Sequence, residues 1–195
     1  MRQNLTQRGK DRKRQLVDRA ADLFAEQGYD ATSVSDIVDS LGVGKGVFYW
    51  YFSSKDDLLL ELLHVSHQDL RRAQQAAIQD EDDPVRRVEI GIRTSMRWFL
   101  EHRKYFTLFQ FVANSERFAH LLRAGNDVAN HDAVRHVKDA IGDGYLADYE
   151  PEMVAYAVMG VIDSLTRMYI LDRPEDAERA ADAAVAFCLK GLAGS

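Results

Sequence analysis

Apolar side chains recur about every 3.6 residues along most of this chain, and this period limits the possible folds more than any other feature. Leu16, Ala20, Leu23 and Phe24, for example, fall on one face of a helix. No segment alternates apolar and polar residues as a half-buried strand does. The sequence therefore predicts an all-α fold.

The three prolines mark helix starts. Pro84, Pro151 and Pro174 each stand beside acidic residues, and proline is favoured at the first helical position because the N–H it lacks has no partner there. Together with the apolar period, these starts predict helices over 10–27, 33–40, 44–51, 54–79, 84–101, 103–113, 116–140 with a break near Gly125, 151–171 and 174–191.

Length and composition exclude several classes of protein. The 195 residues, 46% hydrophobic and 29% charged, fit a folded domain with a small appended module. The longest apolar stretch, 153–162, has about half of the ~20 residues that a membrane span needs, and the first residues have no apolar signal core. The single cysteine, Cys188, cannot form an internal disulfide, so we expect it to be a small buried apolar residue. We expect a cytoplasmic protein with no membrane contact.

Positive charge is concentrated at the beginning of the chain. Residues 1–55 contain nine Lys or Arg against seven Asp or Glu, whereas the rest contain sixteen against twenty-four. Within 1–14 there are six basic residues and one acid. A basic tail ahead of an acidic body fits contact with a polyanion at one end, and it fits equally well a solvated tail without a partner.

The stretch 28–63 predicts a helix-turn-helix. Ser33 and Asp36 have the spacing of a capping box, Gly42 allows the sharp turn between two short helices, and Ser53 or Ser54 begins the next helix. In the second short helix Phe48 and Phe52 share the side that we expect to face the core. Its other side and flanks carry Val43, Lys45, Gly46, Val47, Tyr49, Trp50 and Tyr51. This surface has no acid, and its apolar and hydrogen-bonding groups suit a DNA groove and its phosphates.

Three segments carry a family resemblance: AADLFAEQGY at 20–29, TSVSDIV at 32–38 and GVGKGVFYWYFSSKDDL at 42–58. Over residues 10–63 the chain resembles the DNA-binding domain of the tetracycline-repressor (TetR) family of bacterial regulators. The resemblance implies a helix-turn-helix DNA-binding domain at 1–55, including the basic tail 1–14, and a helical effector-binding and dimerisation domain at 56–195. The chain departs from many members at Trp50 and Tyr51, where they have Tyr and then His.

The resemblance also implies function. It describes a transcriptional regulator, more often a repressor, that binds an inverted-repeat operator as a homodimer and releases it when a small molecule binds. The DNA-binding residues it implies, together with the outer face just described, are Thr32, Ser33, Val34, Val43, Lys45, Gly46, Tyr49, Trp50, Tyr51 and Lys55.

Large apolar residues mixed with a few polar ones predict an effector site between helices. The candidates are Arg93, Met96, Trp98, Phe99, Tyr105, Phe106, Phe109, Gln110, Asn114, Tyr156, Met159, Asp163 and Arg167. Their rings favour a mostly apolar or aromatic compound, and Arg93 or Arg167 would suit an acid. The alternatives are ordinary core packing and an ion pair between Asp163 and Arg167.

Small and apolar residues in the last two predicted helices indicate a dimer interface. These are Ala155, Val158, Ile162, Leu165, Ala183 and Phe187. The alternative is that the same stripe forms only the core of one chain.

Other candidate sites are weaker. Glu61, His64 and His67 share a helical face whose spacing could hold a metal, but two histidines at a surface or an interface explain it as well. Since no catalytic motif appears in a supporting context, we expect no enzyme, no cofactor and no metal. Two other functions stay open: a helical module that binds a small molecule or protein without regulating an operator, and an enzyme that uses Glu61, His64 and His67.

Overall fold

The computed structural model describes residues 6–118, 133–143, 149–170 and 172–192, and throughout these ranges all regular secondary structure is helical, as predicted. The helices are α1 (Gln7–Gln27), α2 (Val34–Ser40), α3 (Lys45–Tyr51), α4 (Lys55–Ile78), α5 (Pro84–Glu101), α6 (Arg103–Ala113), α7 (133–142), α8 (Pro151–Leu165) and α9 (Ala177–Leu192). A π-helical turn, Thr166–Ile170, follows α8, and a 3₁₀ turn, Pro174–Asp176, precedes α9.

The described residues form two compact units. The N-terminal unit comprises those within Met1–Ser66 and Lys104–Leu122, and the C-terminal unit those within His67–Arg103 and Arg123–Ser195. This is a division by packing, and the boundary between functional domains at residue 55 stays a prediction.

Local hydrogen bonds fix the short helices of the N-terminal unit. Ser33 and Asp36 form the predicted capping box at the start of α2, and Gly42 has the left-handed φ of 64° that the turn before α3 requires. The hydroxyl of Ser54 accepts the N–H of Asp57 at the start of α4. Phe48 and Phe52 are buried, as predicted for the inner side of α3.

The C-terminal unit has an apolar core formed by longer helices. Its buried residues come from α5, α7, α8 and α9 and include Ile92, Val137, Val154, Ala184 and Cys188. The prediction that Cys188 is a buried apolar residue is confirmed, and burial raises the pKa of its thiol. The Asp163–Arg167 ion pair is also present, with 3.8 Å between nitrogen and oxygen.

The structure differs in detail from three of the predicted helices. The helix predicted from 116 does not begin there, because the carbonyl of Ser115 accepts the N–H of Phe118 and closes a turn. Residues 119–132, with the predicted break near Gly125, lie outside the described part, and the rest of the predicted segment is helical as α7. The helix predicted over 151–171 changes to a π-helical turn at Thr166. The last helix begins with a 3₁₀ turn at Pro174 and becomes α-helical at Ala177.

Candidate nucleic-acid interface

Helix α3 has one buried side and one exposed side. Phe48 is fully buried, whereas the neighbouring Tyr49 and Trp50 are 57% and 55% exposed. The ring of Tyr51 meets that of Trp50 edge-on, with 4.5 Å between the ring centroids. The buried side therefore anchors the helix, and its outer side presents two large aromatic side chains to solvent.

The other residues predicted to contact DNA divide by exposure. Ser33, Lys45 and Gly46 are exposed, and Val34, Val43 and Tyr51 are partly buried. The hydroxyl of Ser33 already accepts the N–H of Asp36 at the start of α2. Contact between any of these residues and DNA stays a prediction.

Lys55 and Thr32 make their described contacts inside the fold. The ammonium of Lys55 donates to the carbonyls of Tyr29 and Thr32, both at 2.7 Å, and lies 4.2 Å from the centre of the Tyr29 ring. Burial lowers the pKa of Lys55. Thr32 is buried, and its hydroxyl donates to the carbonyl of Gly28 at 2.7 Å. Both side chains are thus used to hold the turn before α2, and their predicted DNA contacts stay predictions.

The first turn of α4 contacts three separate parts of the N-terminal unit. Lys55 holds the turn before α2, and the carboxylate of Asp57 accepts the N–H of Ser53 just after α3, at 3.1 Å. The carboxylate of Asp56 accepts from the hydroxyl of Tyr29 and from the guanidinium of Arg117. Sequence reasoning missed Asp56 and Arg117, because a single sequence has no signal for a contact across 61 positions.

The basic beginning of the chain is helical where it is described. Thr6 caps α1, which begins at Gln7, and Arg8, Lys10 and Arg14 are exposed on it. Lys13 instead pairs with Glu61 of α4. The exposed cations of α1 lie in the same unit as α3.

The predicted effector residues fall into both units. Tyr105, Phe106 and Phe109 are buried in the N-terminal unit. There Gln110 is partly buried, and the exposed Asn114 donates its side-chain N–H to the Gln110 carbonyl. The other candidates belong to the C-terminal unit. The effector site stays a prediction.

Within the C-terminal unit, Met96 and Trp98 are buried and Phe99 is partly buried. The indole N–H of Trp98 donates to Asp69 at 3.0 Å. On α8, Tyr156 is exposed, and Met159 and Asp163 are partly buried.

Arg93, considered as a partner for an acidic ligand, already has two carboxylate partners. Its guanidinium donates to Glu89 at 3.0 Å and to Asp182 at 2.7 Å, and these bonds raise the pKa of Arg93. Burial opposes ionisation of Glu89, but hydrogen bonds from Arg93 and Arg86 hold its pKa below the usual value. A neighbouring cavity of about 20 Å³ has room for about one water molecule.

The predicted dimer residues also differ in exposure. Ala155 and Ile162 are buried in the core of their own unit, and Val158 and Leu165 pack partly buried against it. Ala183 is exposed, and Phe187 is 70% exposed. Of the predicted dimer residues, therefore, only the two on α9 are exposed to solvent and free to contact a second chain.

The histidine face on α4 shows no metal site. The carboxylate of Glu61 pairs with Lys13. Across the described ranges, no three His, Cys, Asp or Glu side chains are grouped so that they could hold a metal ion. In the same part of the chain, no helix is both long enough and apolar enough to cross a lipid bilayer.

Comparison with known proteins identifies the class to which this fold and its exposed helix belong. Residues 16–62 match the family described as bacterial regulatory proteins, tetR family. The HTH-type transcriptional activator FasR of Mycolicibacterium smegmatis is 28% identical over 188 residues, covering 93% of this chain and 83% of FasR. The HTH-type transcriptional repressor KstR2 of Rhodococcus jostii is 33% identical over 115 residues, covering 56% of each protein.

A solved structure agrees over nearly the whole length. The TetR family regulator PfmR from Thermus thermophilus has a TM-score of 0.75 at 27% identity, covering 91% of this chain and 98% of PfmR. The chain belongs to the TetR family and is a DNA-binding transcriptional regulator. The family and the all-α fold predicted from the sequence are thereby confirmed.

Proposed function

We propose that this regulator is a repressor that binds an inverted-repeat operator as a homodimer and releases it when a small molecule binds. The observation that carries the proposal is the outer side of α3, where Tyr49 and Trp50 are more than half exposed beside the buried Phe48. An exposed helix face without acidic residues suits the major groove, where apolar contacts and hydrogen bonds read base edges.

The charge distribution supports contact at this end of the chain. Lys45 on α3 and Arg8, Lys10 and Arg14 on α1 are exposed, and phosphates are the natural partners of such cations. The rest of the chain after residue 55 is acidic. Binding at the acidic surface would be opposed by charge repulsion, so DNA is expected to meet the N-terminal unit alone.

Exposed apolar side chains on the last helices support dimerisation. Phe187 on α9 and Met153 and Tyr156 on α8 are all more than half exposed, and apolar side chains exposed in one chain are a common feature of subunit interfaces. A two-fold dimer would place two copies of α3 to read an inverted repeat. Phe187→Glu should convert the dimer to monomer in sedimentation, while Lys138→Glu on α7 should leave it dimeric.

Within the C-terminal unit, α5 and α8 supply the residues that we assign to effector binding. Phe99, Met159 and Asp163 are partly buried there and combine apolar area with a polar group. An apolar or aromatic compound is the expected class. Helix α4 is continuous, with residues 55–66 in one unit and 67–78 in the other. A change in this helix on effector binding would therefore reach the unit that binds DNA. A ligand that weakens DNA binding must itself bind more weakly to the DNA complex.

The deciding experiment selects DNA from a random-sequence pool with the purified protein and then screens metabolites for thermal shift and for release of the selected duplex. Enrichment of an inverted repeat, and its release by a stabilising compound, would support the proposal. No enrichment together with tight binding of a small molecule or protein would support the alternative, a binding module without an operator. A compound that binds tightly and leaves DNA affinity unchanged would refute the release mechanism.

We also propose that the protein acts in the cytoplasm and catalyses no reaction. Its membership in a family of DNA-binding regulators supports both statements.

Transcription of a reporter gene under the selected operator, with and without the protein, distinguishes a repressor from an activator.

A further inference from the structure

A polar network in the N-terminal unit joins three distant parts of the chain at Asp56. One carboxylate oxygen of Asp56 accepts from the hydroxyl of Tyr29, and the other accepts from the guanidinium of Arg117. Arg117 lies in the turn 115–118 that follows α6, and its guanidinium also lies 4.7 Å from the centre of the Phe118 ring. The two oxygens of Asp56 therefore connect the end of α6 to the turn before α2.

Tyr29 is held at both of its polar ends and on its ring. Asp56 binds its hydroxyl, and Lys55 binds its carbonyl. Its ring packs against Phe24, Phe111 and Phe118, with centroids 5.0–5.4 Å apart. Burial and the bond to Asp56 both raise the pKa of Tyr29, so the hydroxyl keeps its proton and remains a donor.

Tyr29 is bonded to the residues that lead into α2. Its carbonyl accepts the N–H of Thr32 at 3.2 Å, and the next residue, Ser33, is the N-cap of α2. Helix α2 packs on α3, whose outer side carries Tyr49 and Trp50. A displacement of Tyr29 would thus be passed through α2 to the helix that reads DNA.

We propose that Arg117 is a positioning residue for operator binding, acting through Asp56 and Tyr29 on the orientation of α2 and α3. The inference rests on DNA binding by α3. The Arg117 side chain is 64% exposed and that of Asp56 is 38% exposed, and ion pairs this exposed contribute little to global stability. Loss of Arg117 should therefore change the arrangement of the reading helices far more than the melting temperature.

The test compares Arg117→Gln with wild type on two probes: a duplex that the wild-type protein selects from a random pool, and a shuffled duplex of the same composition. We expect about threefold to thirtyfold weaker binding to the selected duplex, the usual range for residues that couple to a site without touching the ligand. Affinity for the shuffled duplex and the melting temperature should stay unchanged. Arg117→Lys should recover most of the loss.

Arg97→Gln is the matched control. Arg97 is a 60% exposed residue of the C-terminal unit with a carboxylate partner, Glu178, at 3.6 Å. This variant changes the net charge by the same amount as Arg117→Gln, and we expect it to bind both duplexes as wild type does.

A double-mutant cycle tests the route through Asp56. Tyr29→Phe removes the hydroxyl and keeps the ring, so it should weaken operator binding in the same way, and Tyr29→Phe combined with Arg117→Gln should cost less than the sum of the two.

Four results would overturn the inference: additive losses, an equal loss on both duplexes, a parallel loss of folded protein, or no loss at all. An equal loss with a smaller salt dependence would mean that Arg117 meets phosphate directly. If the wild-type protein selected no duplex, both the proposed operator function and the inference that rests on it would be refuted. Selection by wild type with an unaffected Arg117→Gln variant would refute the inference alone.

Discussion

Both compact units bury apolar side chains, but the N-terminal unit must also hold two very short helices in place. In the N-terminal unit α2 and α3 have seven residues each, too few to persist without support. The capping box of Ser33 and Asp36 fixes the start of α2. Helix α3 is held by the buried ring of Phe48 and by the bond from the Ser53 N–H to Asp57 just after its end. In the C-terminal unit α5 and α9 have 18 and 16 residues and share an apolar core, with ion pairs at its edges. A helix that must face DNA needs a fixed orientation, which directional hydrogen bonds provide. A core of long helices needs chiefly buried apolar area.

The largest effect is expected from Phe48→Ala, which removes the ring that anchors α3. The cost to the free energy of unfolding of the N-terminal unit should be about 3–5 kcal/mol, as for other buried aromatic residues. Tyr49→Ala, the exposed neighbour, should cost far less. The chain has two tryptophans, Trp50 and Trp98, so fluorescence during denaturation in Trp98→Phe and Trp50→Phe backgrounds follows each unit. Equal costs for Phe48→Ala and Tyr49→Ala would contradict the assignment of the two sides.

Lys55→Met should come next, because it leaves the carbonyls of Tyr29 and Thr32 without their donor. We expect a loss of about 1–3 kcal/mol in the stability of the N-terminal unit, the usual cost of an unsatisfied polar group. The exposed Lys45 serves as the control: Lys45→Met should leave stability unchanged and lower the salt slope of DNA binding by about 1. A reversed pattern, with Lys55 acting on DNA and Lys45 on stability, would refute the structural role of Lys55.

Trp50→Ala tests the outer side of α3. Operator binding should weaken by about 1–3 kcal/mol, the size of a good base contact, while unfolding should change little because the ring is more than half exposed. Filter binding on the selected duplex at fixed salt measures the first effect, and denaturation followed by circular dichroism measures the second. Unchanged affinity would place the DNA contacts elsewhere on the N-terminal unit.

The smallest effect concerns Glu89 at the edge of the C-terminal core. Because Arg93 and Arg86 hold its pKa below the ordinary value of 4.5, its stabilising contribution is present above that pH and is lost as the pH falls through the lower pKa of the folded state. Glu89→Gln should flatten the decline of melting temperature below about pH 4.5, by an amount equivalent to about 1 kcal/mol or less. The exposed Glu152→Gln should follow the wild-type curve, and an unaltered curve for Glu89→Gln would show that the pair contributes nothing.

Features that depend on near neighbours in sequence were predictable. The capping box of Ser33 and Asp36, the turn at Gly42 and the burial of Phe48 each follow from a spacing of a few residues, and the structure has all three. The helix start at residue 116 was wrong because a turn that packs Phe118 against Tyr29 depends on a distant part of the chain.

Roles of charged side chains were harder to predict than the elements that carry them. Lys55 looks like a phosphate ligand in sequence, and only the fold places its ammonium on two carbonyls. Arg93 likewise looks available to a ligand, yet Asp182, 89 positions away, binds it. A long flexible side chain reaches partners that no local spacing specifies.

The three successive residues at the start of α4 also constrain how this chain can vary in length. Lys55, Asp56 and Asp57 point to different partners because each residue of a helix is turned by about 100° from the one before. One residue inserted between Phe52 and Lys55 would displace the Ser53 N–H from Asp57 or turn α4 away from its other partners, so we expect it to break at least one of these contacts. Among natural variants of this protein, the connection between α3 and α4 should therefore keep its length.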